Sequence, residues 1–268
     1  MSAQDPRNKF KTDNYEKQEQ EVPGIQAKMS PQPDCGEDSY HGHHRLDGFK
    51  ILVTGGDSAI GRAAAIAYAK EGADVAINYL PSEQQDADDV KQVIESVGQK
   101  AILIPGDIRD EQFNYDMVQE AYQQLGGLDN ITLVAGHQLY QNELSEFKTQ
   151  DFTETFETNV YPVFWTVQKA LEYLQPGGSI TTTSSVQGYN PNPILHDYAA
   201  TKAAIISLTK SFSAELGPKG IRVNCIAPGP FWSPLQIVGG QPQSAIPTFG
   251  QNTPCLLYTS PSPRDKRQ

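Results

Sequence analysis

The chain has few cysteines, which cross-link small secreted proteins, and fewer basic than acidic residues, although basic residues are the ones that bind polyanions. Its 268 residues include 3 cysteines, Cys35, Cys225 and Cys255, whose spacing forms neither a disulfide framework nor a metal motif. Lysine and arginine total 21 against 32 aspartates and glutamates, and the formal net charge of -11 argues against a nucleic-acid or anionic-membrane surface. No apolar run approaches the ~20 residues that span a bilayer, and Met1 to Arg7 lack the apolar core of a signal peptide. We therefore expect a cytoplasmic protein with reduced thiols, no nucleic-acid partner and no membrane contact.

The length suits one large α/β domain or two small ones, and 38% of the residues are hydrophobic. Residues 1–45 are polar, contain Pro23, Pro31 and Pro33, and show no sustained periodicity, which predicts an extended arm rather than a domain. Within this arm, the stretch from His41 to His44 has no carboxylate or cysteine partners at a metal-binding spacing. We expect no metal site there and interpret these residues as part of a solvated or packed arm.

From Lys50 onward, short apolar runs typical of buried strands alternate with helical patterns. The predicted strands cover 51–53, 74–78, 101–104, 131–134, 178–183 and 221–226. The predicted helices cover 60–71, 82–97 with Ser82 as the cap, 111–125, 151–174 and 198–216. Such alternation favours parallel strands joined by right-handed crossovers. We predict an α/β fold, a Rossmann-type doubly wound parallel sheet in three αβα layers, over residues 46–254.

The segment from Val53 to Gly61 reads as a glycine turn between the first strand and the first helix. A turn of this kind presents free N–H groups and the positive end of a helix dipole to a pyrophosphate. Ligands of parallel sheets bind beyond the carboxyl ends of the strands, where Gly55, Ser185 and the 134–136 turn all fall. The sequence therefore predicts a nucleotide site at this edge of the sheet.

Tyr198 and Lys202 are four residues apart on a predicted helix, so their side chains lie one turn apart on one face. A phenol titrates near pH 10, and a neighbouring ammonium group lowers that pKa. Such a tyrosine can exchange a proton with an alcohol or carbonyl, while Ser185 at a strand end hydrogen-bonds the same oxygen. The alternative for an isolated Tyr-x-x-x-Lys pair is an exposed helix face, but the surrounding strand and helix pattern favours the catalytic interpretation.

These motifs, in this order, resemble the short-chain dehydrogenase/reductase family over roughly Leu46 to Gln251. The matching residues are Thr54-Gly55-Gly56 with Ile60-Gly61, Asp107, Asn159, Ser185, Tyr198, Lys202 and Pro228-Gly229. The sequences from His43 to Leu46 and from Gly239 to Gln241 resemble those of an arm-bearing bacterial branch of that family.

The resemblance implies an NAD(P)-dependent oxidoreductase that acts on an alcohol or carbonyl compound, such as an aldehyde, ketone or sugar. It implies that Tyr198 is the acid/base, Lys202 orients the nicotinamide ribose, Ser185 positions substrate, Asn159 holds a proton-relay water and Asp107 meets the adenine. It also implies a homotetramer for the full-length parent. The implied cofactor-binding residues are Gly55, Asp57, Ser58, Ile60, Gly61, Asn78, Asp107, Ile108, Ala135, Gly136, Tyr198, Lys202, Pro228, Gly229 and Phe231. A non-catalytic nucleotide-binding protein on the same fold and an inactive fragment are the alternatives.

Several positions depart from the family pattern. Ala59 stands where the family usually has glycine, which adds a methyl group near the cofactor. Leu133 and Val134 replace two asparagines, so contacts of that turn must come from the backbone. The second strand ends in Asn78 without an acidic residue that selects NAD, and Asp57 replaces a basic residue that binds the phosphate of NADP. The choice between NAD and NADP therefore stays open, while residues 229–235 are predicted to begin a lid over the substrate.

The last residues follow no pattern of the family. The run from Cys255 to Asp265 can be encoded by one reading frame of a transposase-type sequencing adapter. We interpret 255–268 as a non-native tail and expect the parent protein to continue with further helices and a seventh strand. The alternative is a divergent disordered tail, because proline and serine are common in such segments.

Overall fold

A computed structural model describes residues 14–251 of the chain. The first thirteen residues of the predicted arm and the predicted non-native tail, 255–268, lie outside the described residues.

The described residues form one parallel sheet. Its strands are β1 (Lys50–Thr54), β2 (Asp74–Tyr79), β3 (Ala101–Pro105), β4 (Asn130–Leu133), β5 (Ser179–Thr183) and β6 (Arg222–Ile226). Their spatial order is β3-β2-β1-β4-β5-β6, and every neighbouring pair runs parallel. Each predicted strand is present, with bounds that differ by a few residues at most.

Helices follow the strands along the described part of the chain. They are α1 (Ala59–Lys70), α2 (Gln84–Ser96), α3 (Glu111–Leu125), α4 (Thr149–Asn159), α5 (Tyr161–Ala170) and α6 (His196–Leu216). Short helical turns occur at Gln26–Lys28, Pro81–Glu83, Leu144–Glu146, Val186–Gly188, Gly217–Lys219, Gln236–Gly240 and Ile246–Thr248. Between residues 14 and 251, no helix combines the length and the apolarity that crossing a membrane requires.

The hydrophobic core is divided by the sheet into two layers. Successive residues of a strand point to opposite faces, so Ile51 and Val53 join one buried cluster and Leu52 joins the other. The first cluster includes apolar residues of α1 and α2, and the second includes residues of α3, α5 and α6. Fully burying a valine, leucine or isoleucine side chain in these clusters stabilises the fold by about 1.5–3 kcal/mol. The predicted doubly wound, three-layer α/β fold is confirmed.

The single helix predicted over 151–174 is wrong, because the structure has two helices there, α4 and α5. They meet at Val160, whose φ of -110° departs from helical values, and Pro162 lies in the first turn of α5. Proline has no N–H to donate and crowds the preceding turn, so it starts a helix more readily than it continues one. The break leaves α4 free to pack against α6.

Ser82 does not cap α2, contrary to the prediction. Pro81 starts a separate helical turn, since its fixed φ suits a first helical position. Glu83 closes that turn, because its carboxylate accepts a hydrogen bond from Leu80 N at 2.9 Å. Ser82 is left exposed.

The described part of the arm packs several of its residues against the rest of the chain. Tyr15, Met29 and Cys35 are buried. Tyr15 stacks on Trp232 with ring centroids 3.9 Å apart, and Trp232 Nε1 donates to Pro31 O at 2.8 Å. The arm therefore supports the segment that was predicted to be a lid.

The histidine-containing end of the arm packs on the carboxyl end of α1. Lys70 Nζ donates to Tyr40 O at 2.9 Å. Glu71 accepts hydrogen bonds from His43 N and Arg45 N at 2.9 and 3.1 Å, and it forms an ion pair with the Arg45 guanidinium. Backbone and ion-pair contacts therefore account for the position of this stretch.

Replacing Trp232 with alanine is expected to release the arm from the lid. The change removes the stacking on Tyr15 and the hydrogen bond to Pro31 O, so the arm should be cleaved about tenfold faster, which corresponds to ~1.4 kcal/mol of local stability. Limited proteolysis followed by mass spectrometry measures this rate. Trp165→Ala, on α5 and packed against Tyr161, is the matched control. Equal cleavage of the arm in the two variants would contradict this docking.

Candidate active site

A cavity of about 280 Å³ lies along the carboxyl edge of the sheet, where parallel sheets bind their ligands. The turns after the strands and the segment after β6 form its wall. The predicted site residues that line it are Gly55, Asp57, Ser58, Ile60, Asn78, Asp107, Ile108, Ala135, Gly136, Ser185, Tyr198, Lys202, Pro228, Gly229 and Phe231. The fold thus brings residues from most of the chain to one space.

Two predicted residues, Gly61 and Asn159, lie behind the cavity wall. A Cβ at Gly61 would be 1.8 Å from Gly55 O, so only glycine lets α1 start this close to the turn. The Asn159 side chain is buried, and its Oδ1 accepts from His137 N at 2.6 Å while its Nδ2 donates to His137 O at 2.9 Å. Both residues shape the wall through their neighbours, and a relay water on Asn159 stays a prediction.

Thr54 joins the glycine turn to the turn after β4. Its Oγ1 accepts hydrogen bonds from Val134 N at 3.1 Å and from Ala135 N at 3.3 Å. Gly55 has a φ of +62°, and a Cβ there would be 2.9 Å from Ala135 Cα. Backbone N–H groups of this turn and the Thr54 hydroxyl therefore hold it in place, without asparagine side chains at Leu133 and Val134.

Ala59 adopts the left-handed backbone conformation, with a φ of 50°, which few residues other than glycine tolerate. The arm binds both of its backbone groups, because Ala59 N donates to Gln26 Oε1 at 2.6 Å and Ala59 O accepts from Cys35 Sγ at 3.7 Å. Ser58, the cap residue, makes no side-chain hydrogen bond to α1. The N–H groups of Ile60 and Gly61, which follow Ala59 in the first turn of α1, are therefore left for an anionic ligand.

Two residues of α4 orient the start of α6. Thr155 Oγ1 donates to the buried Asp197 carboxylate, whose other oxygen accepts from Tyr198 N at 2.7 Å. One turn further along α4, Asn159 Nδ2 donates to Thr201 Oγ1 at 3.0 Å. A buried polar group left without its partner costs about 1–3 kcal/mol, so these contacts hold α6 in one position.

Tyr198 and Lys202 are both buried on the cavity-facing side of α6, as the spacing predicted. Lys202 Nζ lies 5.3 Å from the centre of the Tyr198 ring and donates to Thr183 O at 3.0 Å. Burial lowers the pKa of Lys202 to about 8, although Cys225 acts in the opposite direction. The ammonium group is therefore close to its titration point near neutral pH.

The predicted lowering of the Tyr198 pKa by Lys202 is not observed. Burial raises the pKa of Tyr198 to about 12, and the hydrogen bond with the Ser185 side chain offsets only part of that effect. A buried phenolate loses its hydration, and this raises its free energy. The attraction of one nearby lysine does not offset that cost when burial also disfavours the charged form of the lysine. Tyr198 is therefore a protonated phenol, and hence a proton donor, at neutral pH.

Carboxyl groups cluster at the end of the cavity near β2, although β2 itself ends without an acidic residue. Asp57 is 2% exposed, and its Oδ2 has no hydrogen-bond partner among the described residues. Glu83 lines the same wall, while Asp86 accepts hydrogen bonds from Gln26 N and Ala27 N of the arm at 2.6 and 3.1 Å. Burial raises the pKa of Asp57 to about 6, and burial together with the Asp57 charge raises that of Glu83 to about 8.

Asp107, predicted to meet the adenine, is paired with Arg109. Arg109 Nε is 2.9 Å from Asp107 Oδ2, and Arg109 Nη1 is 2.8 Å from Glu154 Oε1. Burial alone would raise the pKa of Asp107, but the hydrogen bonds from Arg109 hold it below its usual value. The Arg109 guanidinium is thus engaged by two carboxylates.

Sequence reasoning missed Glu83, Arg109, Val22 and Pro23, which also line the cavity. Glu83 and Arg109 each follow the end of a strand by a few residues, and that position is the signal that could have identified them. The polar arm carries no pattern that places Val22 and Pro23 against the cavity.

Comparisons with known proteins agree with these motifs. The family described as short chain dehydrogenase matches residues 50–241. The chain is 57% identical over 249 residues to the uncharacterized oxidoreductase YhxD of Bacillus subtilis (strain 168), covering 93% of this chain and 83% of that protein. It is 55% identical over 258 residues to the uncharacterized oxidoreductase YghA of Escherichia coli (strain K12), covering 96% and 88%. The predicted likeness to the family and to YghA-like proteins is confirmed.

Of two solved structures with the same fold, one contains NADP and the other contains NAD+. A short chain dehydrogenase from Burkholderia cenocepacia J2315 in complex with NADP has a TM-score of 0.68 and 35% identity, covering 74% of this chain and 80% of that chain. An NAD+-bound xylitol dehydrogenase has a TM-score of 0.67 and 27% identity, covering 70% and 72%. The predicted cofactor, NAD or NADP, is confirmed as a class.

Replacing Ala59 with glycine is expected to stabilise the protein. Glycine adopts a positive φ without strain, so the free energy of unfolding should rise by ~1 kcal/mol. Denaturant titration measures the change. Ala64→Gly, inside α1, is the matched control and should lower the same quantity by about 0.5–1 kcal/mol. The same sign of change in both variants would contradict the strained turn.

The buried Lys202 should make stability depend on pH. Its pKa is about 8 in the folded state. The unfolded value is about 10.4, so the unfolded state binds more protons between these values and stability gains up to about 3 kcal/mol as pH rises. Denaturant midpoints at about pH 7 and pH 10 should therefore differ more in the wild type than in Lys202→Met.

The exposed Lys210 of the same helix provides the control for that experiment. Lys210→Met also removes one positive charge, but from the surface. It should keep the wild-type difference between the two pH values. If Lys202→Met keeps it as well, Lys202 does not titrate as a buried group.

Proposed function

The chain belongs to the short-chain dehydrogenase family, and we propose that it transfers hydride between a nicotinamide cofactor and an alcohol or carbonyl substrate. The observation that carries this proposal is the buried pair of Tyr198 and Lys202 facing the cavity, which Ser185 also lines. We infer an aldehyde, a ketone or a sugar as the carbonyl compound, because each has a carbonyl oxygen to which Tyr198 and Ser185 can donate hydrogen bonds.

The residues of the cavity fit a dinucleotide. The glycine turn and the first-turn N–H groups of α1 suit its pyrophosphate, and the buried ammonium group of Lys202 suits a ribose hydroxyl. Ala135 and Gly136 border the space between β1 and β4, where such sheets bind dinucleotides. When bound there, the cofactor supplies or accepts the hydride.

In the reductive direction, Tyr198 donates its phenolic proton to the substrate oxygen. The proton is present at neutral pH, since the pKa of Tyr198 is about 12. Ser185 hydrogen-bonds the same oxygen as negative charge develops on it. Lys202 stabilises the phenolate that remains, because an adjacent ammonium group favours the charged form. In the oxidative direction, the phenolate form of Tyr198 accepts the proton from the alcohol.

The lid segment is proposed to shape the substrate end of the cavity. Phe231 lines the cavity, whereas Trp232 points away from it into the cluster with the arm. Phe231 is therefore our candidate for an apolar substrate contact, and Trp232 for lid packing.

We further propose that the full-length parent of this chain assembles as a homotetramer. Phe152 of α4 and Tyr161 and Phe164 of α5 are large apolar residues that stay exposed in the single chain. Large apolar side chains that stay exposed on two consecutive helices support an interface between subunits. A cytoplasmic location stays a prediction from the sequence.

The Tyr198→Phe variant tests the catalytic assignment. Removing the hydroxyl should lower kcat by about 10²–10⁴-fold, because the proton transfer loses its acid and base. The Kd for the cofactor should stay within about twofold, since the ring and Lys202 remain. Absorbance of the reduced cofactor, followed with a panel of aldehydes, ketones and sugars, measures turnover.

Tyr189→Phe is the matched control, because Tyr189 is 69% exposed. It should keep wild-type turnover. Wild-type activity in Tyr198→Phe would reject Tyr198 as the acid/base. Cofactor binding without turnover of any compound by the wild type would instead favour a non-catalytic nucleotide-binding protein.

A further inference from the structure

Within residues 14–251, the end of the cavity near β2 is acidic and has no free cation. Among the described residues, the lysines and arginines that line the cavity are Arg109 and Lys202. Arg109 is held by Asp107 and Glu154, and Lys202 lies at the α6 end. A phosphate group placed near β2 would therefore find no unpaired positive partner.

Asp57 supplies the observation that points to a ligand. It is 98% buried in the cavity wall, and its Oδ2 accepts no hydrogen bond from any described residue. A buried polar atom without a partner is costly, so positions of this kind are retained where a ligand completes the hydrogen bond.

Glu83 brings a second carboxyl group to the same wall. Its Oε2 is engaged by Leu80 N at 2.9 Å, which fixes the side chain. Asn78, at the end of β2, is committed elsewhere, because its Nδ2 donates to Ile104 O and Gly106 O at 3.1 Å each. The acidic groups of this wall thus come from the glycine turn and from the turn before α2, rather than from the strand end.

We propose that Asp57 and Glu83 make this chain select NAD(H) over NADP(H), by accepting hydrogen bonds from the adenosine ribose hydroxyls and by repelling a 2′-phosphate. Parallel sheets of this type bind the adenosine ribose near the end of the second strand, through an acidic side chain. The inference rests on the proposed function, since it concerns the cofactor of that same site.

The carboxyl groups of this wall carry negative charge at about pH 8. Burial raises the pKa of Asp57 to about 6, so this carboxyl group is ionised near pH 8, where Glu83 is partly ionised. A phosphate monoester carries a charge of about -1.5 to -2 under these conditions. Arg62, whose charge opposes part of the rise in the pKa of Asp57, is itself paired with Glu37 of the arm at 2.8 Å.

Binding of NADH and NADPH to the full chain tests the proposal. Isothermal titration calorimetry at about pH 8 should give a Kd for NADH at least about tenfold lower than that for NADPH. Asp57→Asn and Glu83→Gln each keep the side-chain volume and remove the charge. The double variant should bring the two Kd values within about threefold, mainly through tighter binding of NADPH.

Asp88→Asn is the matched control, since Asp88 is an exposed carboxylate on α2 outside the cavity wall. It should keep the wild-type ratio of the two Kd values, and circular dichroism confirms that each variant is folded. Equal or tighter binding of NADPH by the wild type would overturn the proposal, as would an unchanged ratio in Glu83→Gln and in the double variant. If neither cofactor binds the folded wild type, the proposed function itself fails.

Discussion

β1 pairs with β2 on one side and with β4 on the other, so the direction in which the chain winds reverses at β1. The helices that connect the strands on one side of β1 pack on one face of the sheet, and those on the other side pack on the opposite face. The turns after β1 and β4 therefore diverge and leave a crevice between them. The Thr54 hydroxyl holds the two turns together through Val134 N and Ala135 N. The proposed pyrophosphate, ribose and substrate contacts all take their positions from this crevice.

Burial without full neutralisation is the common electrostatic feature of the two ends of the cavity. At the α6 end, it lowers the pKa of Lys202 and raises that of Tyr198. Near β2, it raises the pKa of Asp57 and Glu83. Each shift means that the folded protein disfavours a charge in the absence of a ligand, and perturbed groups of this kind cluster at functional sites.

The glycine turn and the lid depend on contacts with the arm, which lies outside the family motifs. Gln26 binds Ala59 at the start of α1, and Pro31 O binds Trp232 of the lid. The family match begins at residue 50 and therefore does not include these contacts of the arm. An alanine in the left-handed region is tolerated because the arm satisfies both of its backbone groups.

The sequence by itself determined the parallel α/β layering, the glycine turn, and the face shared by Tyr198 and Lys202, because these follow from periodicity and spacing along the chain. The break at Val160 was missed, although Pro162 is visible, because apolar periodicity continues across it. Only the tertiary structure decided the pKa of Tyr198 and the grouping of Asp57 with Glu83. Burial and distances between segments far apart in sequence set both features, and neither is a property of local sequence.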